Sequence, residues 1–178
     1  PHHRLNLAAA VAALHALGVE PEAALQAVLS YPGLPGRVER VAESAGVVFI
    51  NDTQGTDLKA LAAALKMDGG RVRLLVGGIF KGGEPAVLRP LVEERVACFY
   101  AFGRDRKRFL EAWAGAAPGK ECESMDEAFR GAASEALSGE VVLLSPACSS
   151  FDQFSSAKER GERFRALVLG WTGTGGQS

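Results

Sequence analysis

Short, largely apolar runs recur along this chain, and between them apolar residues return every three or four positions. The runs are Val47-Val-Phe-Ile50, Val72-Arg-Leu-Leu-Val76, Ala97–Phe102 and Val141-Val-Leu-Leu144, each closed by Asn, Gly or Ser-Pro. Runs of that kind predict strands covered on both faces, as in a parallel sheet. Val38–Ala42 alternates and is parted from the first run by Gly46, which adds an adjacent strand, and a short strand is expected near Glu121. Helical spacing covers Asp57–Met67, Ala86–Arg95, Arg104–Trp113 and Met125–Leu137. A last helix is expected to open in the small residues after Ser145-Pro146 and to run to about Val168. Residues 38–170 are therefore expected to form an α/β domain, a Rossmann-like, doubly wound, mostly parallel six-stranded sheet.

The start of the chain follows a different pattern. Residues 5–16 are rich in Ala and Leu and closed by Gly18, and Pro21 opens a second helix that continues to Leu29. Tyr31-Pro-Gly-Leu-Pro-Gly36 is turn-forming throughout, which sets the expected boundary. Residues 1–34 are read as a helical hairpin too small to stand as a domain, 35–37 as a linker and 171–178 as a flexible tail. The chain opens on Pro1-His-His without a Met, so it reads as a piece of a longer protein.

Charge and cysteine content narrow the function classes. Lys plus Arg number 20 and Asp plus Glu 21, for a net charge of −1. That balance argues against nucleic acid or an anionic membrane as partner. No stretch approaches the ~20 apolar residues of a membrane span, and no signal peptide is visible. Cys98, Cys122 and Cys148 have neither CxxC nor Cys/His spacing, so disulfide and metal roles are not expected and a cytoplasmic setting is.

Four clusters fall at predicted strand ends or at the linker, where open α/β sheets bind ligands. Asn51-Asp-Thr-Gln-Gly-Thr-Asp57 follows the second strand; Asp52 has the chemistry to accept from sugar hydroxyls, and Thr56 to cap a helix or hold a carboxylate. Gly77-Gly-Ile-Phe-Lys-Gly-Gly83 offers close backbone approach and the cation Lys81, although a flexible loop reads as easily. Ser145-Pro-Ala-Cys-Ser-Ser-Phe-Asp-Gln-Phe154 offers hydroxyls and N–H groups for a carboxylate or phosphate. Gly33-Leu-Pro-Gly-Arg37 places an arginine at the linker, where it serves as a phosphate clamp or as plain surface charge. Arg104-Asp-Arg-Lys-Arg108 reads as a solvated helix face. Cys148 reads as a buried thiol with no partner histidine nearby in sequence.

In order, these residues resemble the Mur ligases, ATP-dependent amide ligases of peptidoglycan precursor synthesis. The resemblance runs through His3 and Asn6, Gly33-Leu-Pro with Arg37, Asn51-Asp52, Gly77-Gly78 with Lys81, and Leu144–Phe154 with Arg160-Gly161. The last motif is the most specific and favours the branch that joins D-glutamate to UDP-N-acetylmuramoyl-L-alanine. It implies that Asn6, His3, Arg37 and Asp52 contact ATP, from adenine to phosphates and ribose. It implies likewise that Thr56, Lys81, Ser150, Phe151, Ala157 and Gln54 line the D-glutamate pocket. Gln54 stands where the family carries a lysine, His3 where it carries an asparagine, Gly36 where a histidine is usual and Ala157 where a larger aromatic is.

The resemblance further implies ATP and Mg2+ as cofactors of the intact, monomeric enzyme and a reaction through an acyl phosphate. The nucleotide-phosphate loop, metal ligands and UDP-binding domain would lie in N-terminal and central domains upstream of Pro1. This stretch is therefore expected to bind D-glutamate and to close over ATP, but to be inactive alone. Two alternatives stand beside it: a stand-alone Rossmann-like module binding a nucleotide or amino acid, and a fragment of the folate-polyglutamate type of ligase.

Overall fold

The computed structural model describes residues 2–31, 33–67 and 69–173, and of residues 2–6 only the backbone. The chain divides into two compact units, residues 1–33 and 34–178. In the first, helix α1 (His2–Ala16) and helix α2 (Pro21–Leu29) form an antiparallel hairpin. Gly18, at φ 84, makes the turn between them, and Pro21 sits in the first turn of α2, where its missing N–H costs nothing.

The second unit is a six-stranded sheet flanked by helices. In chain order it holds β1 (Glu39–Ser44), β2 (Val47–Asn51), α3 (Leu58–Leu65), β3 (Val72–Gly77), α4 (Arg89–Arg95) and β4 (Val96–Phe102). There follow α5 (Arg106–Ala112), β5 (Gly119–Glu121), α6 (Met125–Glu135), β6 (Val141–Leu144) and α7 (Ala157–Gly173). The strands lie in the order β1-β2-β6-β3-β4-β5. Only β1 and β2 are antiparallel; the pairs β2·β6, β6·β3, β3·β4 and β4·β5 are parallel. The mostly parallel six-stranded sheet read from the apolar runs is the one found. Ala45 and Gly46, at φ 51 and 75, form the two-residue turn of the β1–β2 hairpin, both in the half of backbone space that matches strand twist.

Side-chain alternation divides the core into two layers. Leu74 and Val76 of β3, Phe99 and Ala101 of β4 and Leu143 of β6 pack with Leu61, Leu65, Val92, Phe109 and Trp113 of α3–α5. Their neighbours Leu75, Tyr100, Phe102, Val142 and Leu144 face the other way, onto Met125, Phe129, Phe164 and Val168 of α6 and α7. The chain thus leaves β2, β3 and β4 toward one face of the sheet and β6 toward the other. That makes the carboxyl end of β6, between β2 and β3, the switch point where such sheets open a crevice.

Both limits of the last helix differ from the sequence reading. Helix α7 does not open at Ser145-Pro146; residues 145–156 form a loop, and the helix starts at Ala157 behind Ser156, whose Oγ accepts from Glu159 N at 3.1 Å. The small residues are held in non-helical positions by neighbouring strand ends, a tertiary constraint that local propensity does not register. At its other end α7 runs to Gly173, past Val168, because Trp171 packs edge-on against Phe129 at 6.3 Å. Residues 174–178 of the expected tail lie outside the described residues.

Candidate functional site

The loops after β2, β6, β3 and β4 meet at one edge of the sheet and are bonded to each other through their backbones. Asp52 N donates to Leu144 O (2.7 Å), Ala147 N to Gly55 O (2.9 Å), and Gly77 N to Pro146 O (3.0 Å). Ile79 and Ser149 exchange both backbone bonds, at 3.0 and 2.9 Å. Asp105 N donates to Gly78 O (3.0 Å), and the Asp105 carboxylate accepts from Phe80 N (2.8 Å). Glycine is required where backbones come this close: a Cβ on Gly78, at φ 124, would point into the Ser149 carbonyl and lie 3.1 Å from Cys148 Cβ. Several N–H groups that the sequence left free for a ligand, those of Ser145, Ala147 and Ser149, are therefore already taken up by neighbouring carbonyls.

Asp52 is buried beneath this edge. Its carboxylate accepts from Ser145 Oγ (2.8 Å) and Val38 N (3.2 Å). Burial raises its pKa above the ordinary carboxylate value; the Ser145 hydroxyl, the Val38 N–H and the charge of Arg37 oppose the shift without cancelling it. Each carboxylate oxygen keeps a further lone pair for a hydroxyl donor. The Arg37 turn is pinned onto the same loop: Gly36 N donates to Glu39 Oε2 (2.9 Å), and Gln54 N donates to Gly36 O (3.0 Å). Val38, β-branched, is held at φ 51 where the turn enters β1, an uncommon conformation sustained by its bond to Asp52.

On the β3 side, Lys81 Nζ donates to Thr56 Oγ1 at 3.0 Å, joining two of the predicted amino-acid contacts across 25 positions of sequence. Ser150 is buried in the adjoining loop and its carbonyl accepts from Gln153 N and Phe154 N, while Phe151 stands 70% exposed. Ala157 contributes its carbonyl, which accepts from Thr53 Oγ1 at 2.9 Å. Gln54 lies elsewhere: it lines a groove of about 420 Å³ with Pro35, Gly36 and Glu39 on one side and Lys158, Glu162 and Arg165 of α7 on the other. Thr56, Lys81, Ser150 and Phe151 are not part of that groove. The side chains of His3 and Asn6 lie outside the described residues. Among the described residues, no three His, Cys, Asp or Glu side chains cluster as a metal site would require.

Arg160 takes a place that the sequence reading assigned to no residue. Its guanidinium is fully buried and donates from Nη2 to Thr53 O (2.8 Å), from Nε to Thr53 Oγ1 (3.0 Å) and from Nη1 to Cys148 O (3.1 Å). Burial pushes its pKa down to about 10. Asn51 continues the network, donating to Gly161 O and Glu39 Oε2 at 3.2 Å each and accepting from Thr53 N. The signal was present: Arg160, Phe164 and Val168 recur at a spacing of four on the buried stripe of α7, and an arginine on such a stripe needs a reason.

No family model matches the chain. It is 46% identical over 167 residues to the UDP-N-acetylmuramoylalanine–D-glutamate ligase of Nitratidesulfovibrio vulgaris, a match covering 94% of this chain and 39% of that protein. The resemblance to the Mur ligases read from the sequence thus extends over nearly the whole chain. A ligase of the same name from Oleidesulfovibrio alaskensis is 40% identical over 170 residues, 96% of this chain and 38% of the relative. The chain thus spans about two fifths of the length of the relatives it matches. Among solved structures, the UDP-N-acetylmuramate–alanine ligase MurC of Thermotoga maritima superposes with a TM-score of 0.68 at 13% identity, over 95% of this chain and 38% of that one. FolC of E. coli in complex with ADP gives 0.63 at 24% identity, over 92% and 39%. At those identities the likeness is one of fold. The six-stranded sheet is a fold shared with those two proteins.

Proposed function

We propose that this chain is the part of a D-glutamate-adding ligase that binds the amino acid and closes over the nucleotide. The intact protein would use ATP to activate the carboxylate of UDP-N-acetylmuramoyl-L-alanine and join it to the D-glutamate amine as an amide. The observation that carries the reading is the match to the named ligases over nearly the whole chain. The site chemistry supports it. A dicarboxylate needs a cation and hydroxyl groups on converging loops, and Lys81, Thr56 and Ser150 supply them. Asp52 has the lone pairs to accept from ribose hydroxyls, and Arg37, exposed on its pinned turn, offers a guanidinium for phosphate oxygens. In this reading Lys81 carries the charge recognition of the amino acid.

The test is Lys81→Ala in the full-length protein, assayed by ATP- and D-glutamate-dependent phosphate release. Loss of one charge-assisted contact raises the KM for D-glutamate about ten- to a hundredfold and leaves that for ATP within about threefold. Equal effects on both substrates, or none on D-glutamate, refute the assignment. A parent protein that releases no phosphate in response to D-glutamate refutes the reading as a whole.

A further inference from the structure

The Arg160-Gly161 pair fills a core position of α7 with the least core-like side chain available. Its guanidinium is fully buried, and its three hydrogen bonds all go to neutral oxygens of Thr53 and Cys148. Among the described residues it has no carboxylate within ion-pair distance. A buried charge with no ion-paired carboxylate, and only the more distant Asp152 to offset it, is a poor device for stability, and an apolar residue of similar volume would suit the stripe better. The bonds have a different consequence. Two of them hold Thr53, which sits between Asp52 and Gln54, and the third holds Cys148, which leads into Ser149 and Ser150. Gly161 lets the helix approach: a Cβ there would come within 2.6 Å of Thr53 Cγ2.

We propose that Arg160 is a positioning residue that locks the loop after β2 to the loop after β6, so that the nucleotide and amino-acid sides of the site are presented as one preset surface. The fixed planar fork of arginine reaches three acceptors on two loops at once; a lysine in the same place offers a single point of attachment. The inference rests on the D-glutamate-ligase reading for its kinetic consequence and on the three bonds alone for its structural one.

The experiment compares the full-length parent with Arg160→Lys, Thr53→Val and, as a control, Phe164→Leu. Phe164 lies one turn further along the buried stripe of α7 and packs on Phe129, away from both loops. All are assayed at a temperature where each is folded by circular dichroism. Arg160→Lys raises the KM for D-glutamate about tenfold or more, and Thr53→Val, which removes one acceptor at nearly constant volume, raises it about threefold or more. Phe164→Leu lowers the melting temperature and leaves the KM unchanged. Amide hydrogen exchange on the same proteins without substrate gives the second readout: Arg160→Lys speeds exchange at Gly55, Ala147 and Ser149 together, and the control does not. A KM within twofold of the parent in both loop variants, or a rise matched by Phe164→Leu, overturns the proposal. Should Arg160→Lys fail to fold, Thr53→Val decides both readouts. A parent inactive toward D-glutamate refutes the functional reading instead, and hydrogen exchange then settles the lock by itself.

Discussion

Two glycines on the same helix give a sharp test of how tightly α7 is fitted to the loop after β2. Gly161 is buried and Gly170 is exposed, and both lie in α7 with ordinary helical backbone. Replacing either with alanine recovers helix propensity of up to about 1 kcal/mol. At Gly170 the new methyl meets nothing within 4 Å, so the gain stands. At Gly161 it would stand 2.6 Å from Thr53 Cγ2, against the roughly 3.5–4.0 Å of ordinary carbon contact. Thr53 has little room to withdraw, because its Oγ1 donates to Ala157 O at 2.9 Å and accepts from Arg160 Nε at 3.0 Å. Overpacking of this kind costs about 1–3 kcal/mol, and losing a bond to a charged donor adds about 1.5–3 kcal/mol if Thr53 turns away. With Thr53 turned away the balance for Gly161→Ala is therefore a loss of about 1.5–5 kcal/mol, and for Gly170→Ala a gain below about 1 kcal/mol. For a chain of this size each kcal/mol moves the melting temperature by about 2–4 °C. Thermal unfolding followed by circular dichroism should show Gly161→Ala melting several degrees below the parent and Gly170→Ala at or slightly above it. Equal melting temperatures for the two variants would refute the argument, since they would mean that the contact relaxes at no cost.

Two further outcomes follow from the buried titratable groups. Asp52 has a folded-state pKa raised by burial, so its contribution to stability is fully present below its unfolded pKa and is lost as pH rises through the folded one. Asp52→Asn should accordingly be at least as stable as the parent at pH 7, with the gap closing on acidification. Denaturant melts at several pH values check this, and a gap that widens toward low pH contradicts it. Burial pushes the Cys148 thiol up to about 12 and Cys122 to about 11, and raises Cys98 as well. The native protein should therefore react with a thiol reagent at pH 8 only as fast as it unfolds; prompt labelling of Cys148 would show that the loop opens in the native state.

Much of this molecule was legible before folding was considered. Four apolar runs with glycine or Ser-Pro at their ends are strands buried on both faces, and no other common arrangement covers both faces of so many short strands. Helix α6 begins where Ser124 caps it, at 3.2 Å, and α3 where Asp57 does, at 2.9 Å, one position after Thr56, the cap that the sequence offered. Glycines beside Lys81 and hydroxyls after β6 marked strand ends, where open-sheet geometry leaves a crevice. These signals are local and periodic, and for that reason survive without coordinates. What the sequence did not contain was which groups are already taken. The Ser145–Ser156 segment looks like a helix start with free N–H groups until Leu75 of β3 and Gly55 and Ile79 of neighbouring loops arrive to claim them. Gln54 and Lys81 look like members of one pocket until the fold turns Gln54 toward α7 and Lys81 toward Thr56. Arg160 is one residue of a motif with no visible partner until Thr53, 107 positions away, closes over it. Pairing across such distances is decided by how strands order themselves in the sheet, and strand order is a property of the whole chain that no short stretch of it carries.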